Sequence, residues 1–186
     1  MIGNDIIDLS IALSSKKSQN LRFLKKIFTS DEIIQIEKSN NPELLLWQFW
    51  SMKEAVYKAY QRNTGSVRKL NPTSYHCSLI PNSTAGTIQI NEKIFSISTE
   101  INSVYIHSYT SSIDFLKKVY LPNSNSRDEL LEQMATELML NKKDLCINKD
   151  ENGIPSLDIK LREKRLPFSL SHHGKFTAFI IPLIKS

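Results

Sequence analysis

The sequence predicts an α+β fold with two pseudo-symmetric lobes, each holding a small antiparallel sheet and packed helices. Three observations carry this. The segment from residue 42 to about residue 60 has helical length and is apolar around most of its circumference. Short alternating strands follow from residue 72 to about residue 110. The order strand, helices, strands then occurs a second time, with no residue-level repeat. The expected lobes are residues 1–112 and 113–186, together one compact unit, and 186 residues at 40% hydrophobic content suffice for a core.

Taken in order, Ile2 to Leu9 reads as a buried strand with Gly3 and Asp5 near its start. A basic, Ser-rich stretch follows, through Lys16, Lys17, Arg22, Lys25 and Lys26. Thr29-Ser30-Asp31-Glu32 is a capping box that opens a short helix to about Glu37. Asn41-Pro42-Glu43 starts the next helix with an Asn cap, a first-turn proline and an acid at the positive dipole end. Its apolar residues run from Leu44 through Trp47, Phe49, Trp50 and Met52 to Ala59, which makes it a central, buried helix. Tyr75–Ile80, Thr87–Ile90, Ile94–Ser98 and Val104–Tyr109 form an expected meander, and Phe115–Leu121 a further strand. Ser126-Arg127-Asp128-Glu129 is a second capping box, opening a helix to about Leu140. Two or three strands around the Lys149–Gly153 turn complete the chain, the last from Phe176 to Ile184.

The formal net charge of +5 and pI near 9.1 suggest an anionic partner without choosing one. No apolar stretch is long enough to span a bilayer, and no basic region followed by an apolar run marks a secretory signal, so a cytoplasmic protein without membrane association is expected. Cys77 and Cys146 lack CxxC spacing and neighbouring histidines, and read as two reduced thiols. A nucleic-acid-binding module is disfavoured, since aromatic–basic interleaving, zinc ligands and RNA motifs are lacking.

Singly, the candidates for chemistry are ambiguous. Asp5 in an apolar strand is either held by backbone amides or a metal ligand. Glu54 and Lys58, one helical turn apart, match the commonest helix ion pair, yet they lie among tryptophans on a mostly apolar helix. His172-His173 ends a strand and is structural as readily as catalytic.

Together they form a pattern. Gly3-Asn4-Asp5 resembles the GxD strand of the 4′-phosphopantetheinyl transferase superfamily, and Trp50-Ser51-Met52-Lys53-Glu54-Ala55-Val56-Tyr57-Lys58-Ala59 its WxxKEAxxKA helix. Gly153-Ile154-Pro155 looks like its GxP turn, Ser169-Leu170-Ser171-His172 its SxSH segment, and Phe28-Thr29-Ser30-Asp31-Glu32 the FTxxE stretch of small holo-acyl-carrier-protein synthases. The motif order is that of those small enzymes and opposite to the large surfactin-type ones, but this chain is longer than the small type. A second lobe in one chain then implies a monomer, with a homotrimer as the alternative.

The resemblance implies transfer of phosphopantetheine from coenzyme A, as co-substrate, to a serine of an apo acyl or peptidyl carrier protein in fatty acid or polyketide biosynthesis. The products are the holo protein and 3′,5′-ADP. It implies Mg²⁺ held by Asp5 and Glu54, with Glu54 also the candidate base and Lys58 neutralising the leaving phosphate. Ile7 stands where surfactin-type enzymes often carry a third acid, so water is expected there. Ser169, Ser171, His172, Gly153, Pro155 and Lys53 are the implied cofactor contacts, and Ile154 replaces the lysine of the family's turn. Lys16, Lys17, Arg22, Lys25 and Lys26 are the expected docking face for an acidic carrier protein, with no role for nucleic acid. A Mg²⁺-dependent pyrophosphate hydrolase using the same acids is the rival enzyme, and a catalytically dead scaffold is disfavoured by the intact Asp5, Glu54 and Lys58.

Overall fold

The structure, a computed structural model, describes residues 1–65, 69–110, 114–124, 126–160 and 163–183. The first strand, β1 (Asn4–Asp8), is shorter than the apolar run because the Asp8 carboxylate caps a helical turn, α1 (Leu9–Ala12), by accepting from the Ser10 amide at 2.9 Å. Helix α2 (Leu21–Ile27) follows, capped by Asn20. Helix α3 (Ser30–Lys38) begins with the expected capping box: Thr29 Oγ1 accepts from the Glu32 amide, and Glu32 Oε2 accepts from the Thr29 amide. Helix α4 (Pro42–Thr64) starts at the Asn41 cap and ends where Gly65 turns left-handed at φ 60°. It buries Leu46, Phe49, Met52, Val56 and Ala59 against α2, α3 and the adjoining sheet.

That sheet has the order β1-β5-β4-β3-β2, all neighbours antiparallel, from β2 (His76–Leu79), β3 (Gly86–Ile90), β4 (Lys93–Ile101) and β5 (Tyr105–Thr110). Beyond it lie β6 (Phe115–Tyr120), α5 (Arg127–Leu138), β7 (Leu145–Lys149), β8 (Pro155–Ile159), β9 (Lys164–Pro167), β10 (Ser169–His173) and β11 (Phe176–Pro182). Helix α5 carries half of the expected box. Ser126 Oγ accepts from the Glu129 amide, but the Glu129 carboxylate instead receives the amides of Asn123 and Ser124. The helix stops two residues short of Leu140, with Met139 left-handed at φ 53°.

The later strands form two three-stranded sheets, β10-β11-β6 and β7-β8-β9, in place of the single small sheet expected for a second lobe. Their pairing nevertheless repeats the first sheet. In the first half, the leading strand β1 pairs with the last strand β5. Strand β4 pairs with β3 through Lys93–Ile97 and with β5 through Ile97–Ile101. In the second half, β6 pairs with the last strand β11, β9 pairs with β8, and β10 pairs with β11. The strand corresponding to β4 is thus broken at Phe168, a fully buried ring inside the second core with Phe179, Leu157 and Met134. The expected lobe boundary at residues 112/113, and Ile184 at the end of the last strand, lie outside the described residues.

Candidate active site

The approach of β1 to α4 builds the site. Gly3 lies flat against the helix: a methyl group there would overlap the Ala55 carbonyl oxygen and come within 2.7 Å of the Ala59 amide nitrogen. Ala55 and Ala59 are themselves fully buried, so small residues on both elements permit this contact. The odd-numbered face of β1 therefore meets α4. Ser51 Oγ donates to the Asp5 carbonyl at 3.3 Å, and Ile7 packs in a cluster with Trp47 and Trp50.

Asp5 is thereby brought to Lys58, whose Nζ donates to Asp5 Oδ1 at 3.0 Å and to the Asn4 carbonyl at 2.9 Å. Glu54 lies one turn earlier on α4 and is partly buried. Burial first, and the Asp5 charge second, push its carboxyl up to about 7, against an opposing pull from Lys58. His107, opposite Ile6 on β5, is held neutral. Burial and the Lys58 charge push its imidazole down to about 3, and its Nε2 lies 3.1 Å from Asn4 Nδ2. Two acids on neighbouring elements, one raised chiefly by burial and further by the charge of the other, are a donor set that a hard divalent cation relieves. Among the described residues no cluster of three or more His, Cys, Asp or Glu forms a fuller ligand set, so an ion held here would keep several waters, as Mg²⁺ commonly does.

From Lys58 a cleft of about 740 Å³ opens toward the second half of the chain. Its lining includes Lys58, Arg62, Gly153, Pro155, Ser169 and His172, so most of the residues implied for coenzyme A converge there. Gly153 occupies the left-handed region at φ 71°, in a turn where Asp150 Oδ1 accepts the amides of Asn152 and Ile154. Arg62, Arg127 and Lys149 add positive charge to the walls and were missed in the sequence. Arg62 had a signal, because Glu54, Lys58 and Arg62 recur every four residues along one face of α4. Its guanidinium donates to the Pro155 carbonyl at 3.0 Å and to the Phe168 carbonyl at 2.5 Å, joining α4 to the Gly153–Pro155 turn and to the residue that precedes β10.

A family model for the 4′-phosphopantetheinyl transferase superfamily matches residues 1–113. The chain belongs to that superfamily. It is similar to a holo-[acyl-carrier-protein] synthase from Leptospira biflexa, 35% identical over 66 residues, which are 36% of this chain and 52% of that protein. It is also similar to one from Chlamydia trachomatis, 37% identical over 68 residues, 37% of this chain and 57% of that protein. The chain thus matches little more than half the length of these curated relatives.

Two expected contacts of this superfamily member are placed away from the cleft. Lys53 follows the helix 100° round from Glu54 and enters the core, fully buried. Its three donors are spent on Glu32 Oε2 at 2.7 Å and the carbonyls of Ile27 and Pro72, so it has no reach to a cofactor. The hydroxyl of Ser171 turns to β1 and does not line the cleft, whereas His172 does. Ser169 Oγ accepts from the Asn4 amide at 3.0 Å while the residue still lines the cleft. Lys16, Arg22, Lys25 and Lys26 are exposed on and before α2. Lys17 is half-buried with its ammonium over the Phe23 ring. Exposed Leu13 and Leu21 accompany these cations. Among the described residues, no helix is long and apolar enough to cross a membrane.

Proposed function

We propose that this chain transfers the phosphopantetheine of coenzyme A to a serine of an apo acyl or peptidyl carrier protein, releasing 3′,5′-ADP in a Mg²⁺-dependent reaction. The observation that carries the reading is the convergence of Asp5 and Glu54 on Lys58, which itself lines a cationic cleft. Asp5 and Glu54 would hold the cation, and Mg²⁺ bound there supplies charge neutralisation for a diphosphate. Glu54, raised to about 7, is suited to take the proton of the carrier serine as its oxygen bonds to the β-phosphorus. The bond from that phosphorus to the bridging oxygen breaks, and Lys58 offsets the charge left on the departing phosphate. Arg62, His172 and the Gly153–Pro155 turn line the path for the nucleotide end.

Both the acid pair and the cleft come from one chain, which favours a monomer over a homotrimer. The exposed cations of α2, with Leu13 and Leu21, suit an acidic amphipathic helix of a carrier protein. A reaction drawing on coenzyme A suits a cytoplasmic location. Incubation of several apo carrier proteins with this protein, coenzyme A and Mg²⁺, followed by mass spectrometry, tests the reading. The expected result is a phosphopantetheine mass increment that is lost in Asp5→Ala and Glu54→Ala. An increment that persists in both variants, or 3′,5′-ADP released without any carrier protein, rejects it.

A further inference from the structure

Three side chains of β10 replace a strand partner for β1. The amides of Asn4, Ile6 and Asp8 point away from β5. They donate in turn to Ser169 Oγ at 3.0 Å, Ser171 Oγ at 3.2 Å and His173 Nδ1 at 2.9 Å. Each step is two residues on both strands, so β1 and β10 run parallel, joined by side chains instead of a backbone ladder. The middle rung differs from the others. Ser171 Oγ, 5% exposed, also donates to Asp5 Oδ1 at 2.7 Å, the same oxygen that receives Lys58 at 3.0 Å.

We infer that Ser171 is a positioning residue for Asp5, not a contact to the nucleotide. This deepens the proposed function and rests on it. A serine hydroxyl has one proton to give, and here it goes to Asp5 while a lone pair receives the Ile6 amide, leaving no donor for a phosphate. Ser171 is absent from the cleft lining, while its neighbours Leu170 and His172, on the other face of β10, are part of it. On Asp5 the consequence is directional. Two donors occupy Oδ1 and fix the carboxylate plane, which leaves Oδ2 as the oxygen to meet a cation shared with Glu54. The SxSH segment therefore divides its work: Ser171 orients the metal-side acid, and His172 faces the substrate.

The test uses the full chain freed of metal, Mn²⁺ as the probe, and calorimetric affinities for Mn²⁺ and for 3′,5′-ADP. Ser171→Ala should weaken Mn²⁺ binding about tenfold, the size of one hydrogen bond to a charged group. It should leave 3′,5′-ADP affinity within about twofold, as for uncoupled sites, and Ser171→Thr should restore Mn²⁺ binding. Ser169→Ala, which removes a rung of the same ladder without touching Asp5, should keep the wild-type Mn²⁺ affinity. Should Ser171→Ala fail to fold by circular dichroism, Ser171→Cys supplies the same comparison with a weak donor of similar size. Unchanged Mn²⁺ affinity together with weakened 3′,5′-ADP binding overturns the inference and returns Ser171 to the nucleotide. Wild-type protein that binds neither probe overturns the proposed function itself, a result distinct from any difference among the variants.

Discussion

Gly3 of β1 is packed so closely on Ala55 of α4 that no side chain fits between the strand and the helix carbonyl. Gly3→Ala should therefore push β1 off α4 and destabilise the protein by about 3 kcal/mol, in the range of overpacked core sites. In the fraction that remains folded, Mn²⁺ affinity should fall because Asp5 moves from Lys58 and Glu54. Urea denaturation and Mn²⁺ titration check the two effects. A variant with wild-type values in both would show that the flush contact does not set the acid pair.

Glu54 makes a pH-dependent contribution of unusual sign. Its folded-state carboxyl binds a proton up to about 7, while the unfolded chain releases it near the ordinary value of 4.5. Metal-free stability should accordingly be unaffected by this group below that value, fall as pH rises toward 7, and level off above it. Glu54→Gln removes the slope and should be the more stable protein at pH 8 in chelator, by up to about 3 kcal/mol. Added Mg²⁺ should narrow the gap by stabilising the wild type alone. Urea midpoints at pH 5 and pH 8 measure this.

Lys53 and Glu32 form a buried ion pair at 2.7 Å, and Glu32 also accepts the amides of Thr29 and Cys77. Truncating one partner strands the other charge in the core, so Lys53→Met should cost about 3–5 kcal/mol. Coenzyme A affinity per folded molecule should stay at the wild-type level. A stable Lys53→Met protein with weakened coenzyme A binding would instead restore Lys53 to the cofactor.

Arg62 ties the end of α4 to the Pro155 and Phe168 carbonyls on the cleft floor. Arg62→Ala should weaken coenzyme A binding about tenfold or more, since two charge-assisted hydrogen bonds are lost at once. Mn²⁺ binding at Asp5 and Glu54 should be unaltered, and calorimetry separates the two.

Charge reversal on α2 should act on encounter with the carrier protein. Lys25→Glu with Lys26→Glu should raise KM for the carrier about tenfold at low salt, an effect that shrinks near 0.5 M salt. KM for coenzyme A should not move.

The parts of the site legible in the sequence are those whose chemistry lies within one element. Glu54 and Lys58 share a helix face, Thr29 and Glu32 cap a helix reciprocally, and Asp5 stands out as a charge in an apolar strand. Lys53, an implied cofactor contact, is turned from cleft to core by the 100° rotation that separates it from Glu54 on the helix, and the sequence does not show which neighbours fill that side. The clasp of β1 by Ser169, Ser171 and His173 joins residues 165 apart, and no local pattern contains that pairing. The break at Phe168 is likewise a tertiary outcome, since β9 pairs with β8 while β10 pairs with β11.

The clasp also changes what the five-stranded sheet can do with other molecules. With the outward amides of Asn4, Ile6 and Asp8 already taken, the β1 margin has lost the donors that would recruit a foreign strand. The opposite margin is β2, only four residues long. Through this sheet, then, copies of the chain have little means of polymerising by backbone pairing, and two neighbours that meet there must do so by side-chain contact.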